Sequence, residues 1–207
     1  MDPMEQYAIV LGITVLAVIS PGADFAMVSR NSFIHGRQSG MLSALGIGTS
    51  CWVHIFYTIF LLAAMQKLLP NLLLYVRFAG AAYLAYVGLT TMLSGASVET
   101  VSTDVTNLNS ARSFMSGFLT NALNPKTAVF VISLYTQLIG PHSSLAYALF
   151  CGATISLCHL VWFVIVSISL SQQTARTWVL RHVVVFNRII GTILLCIAAS
   201  LIFISEA

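Results

Sequence analysis

What most constrains this chain is a succession of apolar stretches, each long enough to cross a lipid bilayer, with little between them. Six separate by eye: residues 6–34, 40–66, 70–93, 113–140, 143–170 and 183–204. A helix needs about 20 apolar residues to cross a hydrocarbon core about 30 Å thick, and all six stretches meet that length. In lipid, backbone polar groups must be paired within the spanning segment, so the segments must be helices. The expectation is an all-α integral membrane protein of six transmembrane helices, with no room for an extramembrane catalytic domain.

The charges agree. Nine Lys and Arg and six Asp and Glu make 7% of the 207 residues, against about 25% in an ordinary soluble protein. Fifteen charges cannot clothe a water-facing surface, so the apolar surface must meet a lipid bilayer. The net charge of +3 comes from scattered cations without a basic stripe, which excludes a nucleic-acid partner. Cys51, Cys151, Cys158 and Cys196 lie inside apolar runs and form no CxxC pair, so they read as small buried hydrophobes with no disulfide or metal role. Asp2 and Glu5 precede the first apolar run without a cation. That is the wrong flank for a signal peptide, and the first stretch is read as a retained span.

The single long polar segment runs from Ser94 to Ala111. It divides one transmembrane domain (1–207) into a first repeat (1–94), a linker loop (95–111) and a second repeat (112–207). At an offset of 104, Pro21 meets Pro125, Ser29 meets Ser133, Gly36 meets Gly140, Ala44 and Leu45 meet Ala148 and Leu149, and Gly48 meets Gly152. At an offset of 111, Arg77, Gly80 and Leu84 meet Arg188, Gly191 and Leu195. Three spans per half is an odd number, so the second half threads the membrane in the opposite sense. The fold expected is two inverted three-helix repeats. Six cations (Arg30, Arg37, Arg112, Arg176, Arg181, Arg188) fall on the side reached after odd-numbered spans and two (Lys67, Arg77) on the other. The richer side is cytoplasmic by the positive-inside rule, which puts both termini in the periplasm.

The first and fourth stretches are anomalous in the same way. Residues 6–34 would form a straight helix about 43 Å long, well over the membrane thickness, and 113–140 is similar. Each is interrupted near its middle, the first by Ser20-Pro21-Gly22-Ala23-Asp24 and the second by Asn121-Ala122-Leu123-Asn124-Pro125-Lys126. Proline removes an amide and clashes with the preceding turn, so both helices should break at mid-membrane. Backbone freed there is tolerated only against protein or a water-filled cavity, and paired interruptions in two repeat halves point to a transporter's substrate site.

The same breaks carry the acid and the lysine that lie deep in spans, Asp24 and Lys126. An isolated ion at the bilayer centre costs several kcal/mol on any insertion scale. The two therefore pair with each other as a buried salt bridge, bind a zwitterion between them, or do both in turn. His54 and His159, near-equivalents in the repeat, could relay protons or simply hydrogen-bond a neighbouring helix. Asn121 and Asn124 could bind substrate or cap the second half-helix. Trp52, Trp162 and Trp178 fit packing or interfacial anchoring. The small residues of Gly36-xxx-Gly40, Gly46-x-Gly48 and Gly80-Ala81-Ala82 read as helix contact faces, which permit a homodimer as readily as internal packing.

Several motifs occur in a fixed order: Ser20-Pro21-Gly22-Ala23-Asp24; Ser29-Arg30-Asn31-Ser32 and His35-Gly36-Arg37-xx-Gly40; Gly80-Ala81-Ala82-Tyr83-Leu84-xx-Val87-Gly88; and Gly117-Phe118-Leu119 followed by Asn121, Asn124-Pro125-Lys126 and Val129-Phe130. This ordered set resembles the lysine exporter superfamily over nearly the whole chain, and most of all its homoserine and threonine resistance exporter branch. Ala23 departs from it, since members commonly carry a second proline there. The resemblance implies a bacterial inner-membrane, multi-pass exporter that removes amino acids, neutral or hydroxylated ones such as threonine and homoserine or their derivatives, from the cytoplasm. It also implies the proton gradient as energy source, with no cofactor.

Combined with the breaks, this gives alternating access around a midplane site of Ser20, Pro21, Gly22, Asp24, Asn121, Asn124, Pro125 and Lys126. Asp24 and the carbonyls near Ser20 hold the substrate's ammonium, Lys126 and half-helix amides hold its carboxylate, and Asp24, with His54 and His159, carries the proton. A divalent-metal exporter using His54, His159, Cys158 and Asp24 is the nearest alternative, followed by a passive channel; no HxxxH or clustered carboxylates support the metal. An enzyme would have to use Ser20 with Asp24 or Cys158 beside His159, and neither forms a catalytic motif.

Overall fold

A computed structural model of the chain describes residues 3–68, 72–93, 109–139, 143–171 and 173–204, and among these there is no strand. The helices are α1 (Pro3–Ile19), α2 (Ala23–Ile34), α3 (Gly36–Leu68), α4 (Leu72–Leu93), α5 (Ser110–Ala122), α6 (Pro125–Leu134), α7 (Leu145–Leu170) and α8 (Gln173–Ile204), with a π-helical turn at Tyr135–Ile139 after α6. Linker residues 94–108, Gly140 and the side chains of Lys67, Arg77, Arg176 and Trp178 lie outside the described residues.

Both expected breaks are present. The first stretch divides into α1 and α2, bent by 56°. Pro21 has no N–H to extend the α1 ladder, so the last bond runs from Ser20 N to Leu16 O at 3.2 Å, and Gly22 caps the restart at α2. The fourth stretch divides at Leu123 and Asn124. Here Pro125 occupies the first position of α6, where a missing amide is harmless, and the Asn124 side chain accepts Lys126 N at 3.0 Å.

By length and apolar character α3 over Gly36–Ala64 and α7 can each cross a bilayer, and α1 and α2 have the length and apolar character for a third crossing when taken together as one bent segment. Large apolar side chains stand on the outside, among them Phe56, Phe60, Tyr86, Leu123, Leu157 and Ile165. That surface is suited to lipid and unsuited to water. The chain is an integral membrane protein, helical in its described residues apart from short caps and turns.

Lipid supplies little hydrophobic drive between helices, so close packing and interhelical hydrogen bonds must hold them. The seam between α3 and α5 shows both. Ser39, Ser43, Gly46, Ser50 and His54 recur at spacings of three and four and so share one face of α3. Ser39 Oγ pairs with Ser113 Oγ at 2.8 Å, Ser43 Oγ donates to Ser113 O at 2.9 Å, and Ser50 Oγ donates to Asn121 Oδ1 at 2.7 Å. Midway, a Cβ at Gly46 would overlap the backbone of Phe114 and Phe118, and one at Gly117 the backbone of Ser43. The same face thus ends by fixing Asn121 at the second break.

Elsewhere α3 packs on α7 and α4 on α8. Val10, Ile13, Ile55, Tyr135 and Ile155 belong to one buried cluster, and Val28, Ile47, Phe163 and Val166 to another. Gly40, Gly46, Gly48 and Gly80 all face neighbours in this chain, so those glycine faces serve internal packing. Gly36 is different. Nothing lies within 4 Å of a Cβ placed there, and its φ of +83° makes it the left-handed turn between α2 and α3 instead of a contact face.

Candidate functional site at the two helix breaks

The two breaks meet, and each holds the charge that the other brings. Asp24 lies in the first turn of α2, where the positive end of the helix dipole favours a carboxylate. It is 6% exposed. Its Oδ2 accepts Asn121 Nδ2 at 2.8 Å, Asn124 Nδ2 at 3.0 Å and Thr127 Oγ1 at 3.5 Å, all from the second break. Its Oδ1 is buried without a partner. Such an atom is uncommon in a native interior, where buried polar groups are usually paired.

Lys126 makes the reverse journey. Its Nζ donates to Ser20 O at 2.7 Å, Ser20 Oγ at 2.9 Å and Pro21 O at 3.5 Å. These acceptors sit at the carbonyl end of α1, where the dipole is negative and the proline has ended the ladder. Asp24 and Lys126 form no salt bridge with each other among the described residues. The direct ion pair, one of the arrangements open from the sequence, is replaced by a crossed pair of charge-assisted hydrogen-bond sets. Desolvated break carbonyls need donors as much as the ammonium needs acceptors, and one arrangement answers both needs.

The two asparagines differ. Asn121 uses its whole amide on protein: Nδ2 donates to Asp24 and to Thr127 Oγ1 at 3.0 Å, while Oδ1 accepts from Ser50 Oγ and from Cys51 Sγ at 3.8 Å. Asn124 both caps α6 and binds Asp24, so its two expected roles coincide.

The histidines also part company. His54 Nε2 meets Asn121 O at 2.9 Å and Nδ1 meets Tyr57 Oη at 2.9 Å. A carbonyl only accepts, so Nε2 carries hydrogen, and in the neutral ring Nδ1 accepts from Tyr57. Both nitrogens of His54 are thereby committed to protein. His159 keeps one open: its Nδ1 donates to Ile155 O at 2.8 Å, which leaves Nε2 as an acceptor with no partner among the described residues.

A cavity of about 20 Å³ lies at the crossing, lined by residues that include Ser20, Gly22, Asp24, Asn124, Lys126 and His159. That is room for about one water molecule. Pro21, Asn121, Pro125 and His54 do not line it: Pro21 contributes its carbonyl to Lys126, Asn121 and His54 lie behind Asp24, and Pro125 is exposed at the start of α6. Three participants are not singled out by the motif reading. Thr127 touches Asp24, Thr91 Oγ1 bonds Ser20 Oγ at 2.7 Å, and Ser50 orients Asn121. Only Thr127 carries a signal, its place beside Lys126 in the break.

Comparison with known proteins supplies the family. A family model described as "LysE type translocator" matches residues 15–205. The chain is 27% identical over 209 residues to the uncharacterized membrane protein YahN of Escherichia coli, covering 98% of this chain and 92% of that protein. It is 27% identical over 205 residues to the uncharacterized membrane protein YrhP of Bacillus subtilis, covering 92% and 95%. To the threonine efflux protein of Salmonella typhimurium it is 29% identical over 170 residues, covering 79% and 81%. No solved structure matches. With the family model spanning both helix breaks and nearly everything between and after them, the chain belongs to the LysE type translocator family.

Proposed function

We propose that this translocator exports amino acids from the cytoplasm across the bacterial inner membrane, by alternating access coupled to the proton gradient. The observation that carries the reading is the crossed clasp. A buried carboxylate and a half-buried lysine, from corresponding breaks in the two halves, are held by hydrogen bonds and not by each other. Both can therefore be turned to a zwitterion without separating an ion pair. The threonine efflux relative favours a neutral, hydroxylated substrate.

In this reading six crossings form two inverted halves, 1–94 and 112–207, joined by the linker 95–111, with both termini periplasmic. The matched prolines of the two breaks, Pro21 and Pro125, support it. The halves rock about the breaks. Asp24 Oδ1, the unpartnered oxygen, takes the proton, and His159 Nε2 across the same cavity exchanges it. Among the described residues no group of three His, Cys, Asp or Glu is placed to hold a metal ion, which gives a metal exporter no support.

The test is uptake of a panel of labelled amino acids into inverted vesicles with and without a proton gradient. One amino acid should accumulate only with the gradient, and Asp24→Asn, shown to be folded and inserted, should reduce that accumulation to background. Uptake of divalent metal but no amino acid, or an unchanged Asp24→Asn, would remove the proposal.

A further inference from the structure

We infer that the carbonyl end of α1 is a binding site for one primary ammonium group, and that Lys126 fills it as a tethered occupant which the substrate must displace. This deepens the export reading and rests on it. The site has Ser20 O, Ser20 Oγ and Pro21 O at 2.7, 2.9 and 3.5 Å from Nζ. Three acceptors match the three N–H bonds of a primary ammonium. No carboxylate takes part, so the cation is held by backbone dipoles and a hydroxyl alone.

The hydroxyl is oriented for the task. An ammonium can only donate, so Ser20 Oγ accepts from Lys126 and is free to donate its own hydrogen to Thr91 Oγ1 at 2.7 Å. The bond ties the α1 terminus to α4. Beneath it the Lys126 stem passes Gly22, with Cδ 3.5 Å and Nζ 3.6 Å from where a Cβ would stand. The lysine thus reaches the carbonyls by running alongside the Gly22 backbone, at ordinary van der Waals distance from a Cβ placed there.

Two ammonium groups cannot share three acceptors. When the amino group of a substrate enters, the Lys126 ammonium must leave, and the substrate's carboxylate is the anion that arrives with it. The exchange keeps the site's net charge unchanged. A tethered ammonium competes at the millimolar or higher effective concentration of a short linker, so weak free amines cannot displace it.

The experiment uses purified full-length chain in detergent. Ethylammonium and tetramethylammonium chlorides are titrated from millimolar concentrations while thermal unfolding is followed, in the wild type and in Lys126→Ala and Lys126→Met. Ethylammonium should raise the melting temperature of Lys126→Ala by a few degrees and leave wild type unchanged. Lys126→Met, which keeps an apolar stem alongside Gly22, should respond less, and tetramethylammonium, having no N–H, should do nothing in any protein. An equal response in wild type, or none in a folded Lys126→Ala, overturns the inference. Should Lys126→Ala not fold, rescue of its folding during preparation by ethylammonium and not by tetramethylammonium supports the inference, and failure of that rescue overturns it. Because the readout is binding without transport, a failed export assay and a failed ammonium shift are separate results.

Discussion

Asn121 holds Asp24 from behind: its Nδ2 lies 2.8 Å from the carboxylate, and its own backbone carbonyl lies 2.9 Å from His54 Nε2. The carboxylate is thereby positioned by a residue whose side chain is fully occupied by protein partners.

Replacing Asn121 should therefore harm both stability and transport. Asn121→Ala removes a donor to a buried charged acceptor and should destabilise the protein by about 1.5–3 kcal/mol. Asn121→Asp places a second carboxylate beside the first and should be worse. Thermal unfolding in detergent and vesicle uptake check both, and an Asn121→Ala protein with wild-type stability would show that the amide does not hold Asp24.

The two histidines should separate by pH dependence. His159→Phe removes the acceptor that faces the cavity and should flatten the pH profile of gradient-driven uptake. His54→Gln keeps a donor for Asn121 O and should lower the rate by about tenfold or less, the scale of one hydrogen bond of about 1 kcal/mol, while the profile keeps its shape. Uptake measured across a pH series decides, and a His159→Phe profile superimposable on wild type would take the imidazole out of the proton route.

Glycine substitutions should sort by what surrounds them. Gly117→Ala drives a methyl into the Ser43 backbone at the α3–α5 seam and should destabilise by about 1–3 kcal/mol or more. Gly12→Ala meets nothing within 4 Å and should be neutral or slightly stabilising, alanine being the better helix former. Melting temperatures of the two purified variants make the comparison; equal values would mean that the seam is looser than described.

The topology has its own test. In a cysteine-free background, a cysteine placed in the 95–111 linker should react with a membrane-impermeant maleimide in inverted vesicles and not in intact cells. Labelling in intact cells would reverse the orientation.

The positions of the breaks are legible in the sequence because Pro21 and Pro125 act locally: a missing amide ends a ladder whatever surrounds it. The partners of Asp24 and Lys126 are not. Opposite charges invite pairing on sequence, but the freed carbonyls at Ser20 and Pro21 compete for the ammonium, and the amides of Asn121 and Asn124 for the carboxylate. That competition depends on which helix ends meet, which spacing does not encode. Gly36 misleads for a related reason. Its spacing from Gly40 is that of a contact face, while its φ of +83° is a property of a turn. Thr91 and Ser50 give no warning because hydroxyls in apolar helices more often bond their own backbone, as Thr90 Oγ1 does to Tyr86 O at 2.8 Å; Ser50 Oγ itself lies 2.8 Å from Ile47 O as well as reaching Asn121.

The cavity of about 20 Å³ between Asp24 and His159 has a consequence for the cell that carries the protein. Protons cross membranes readily along a continuous file of water, and a space for about one molecule interrupts such a file. On the export reading proposed above, a site this small would keep the protein, in this form, from leaking protons across the membrane it works in.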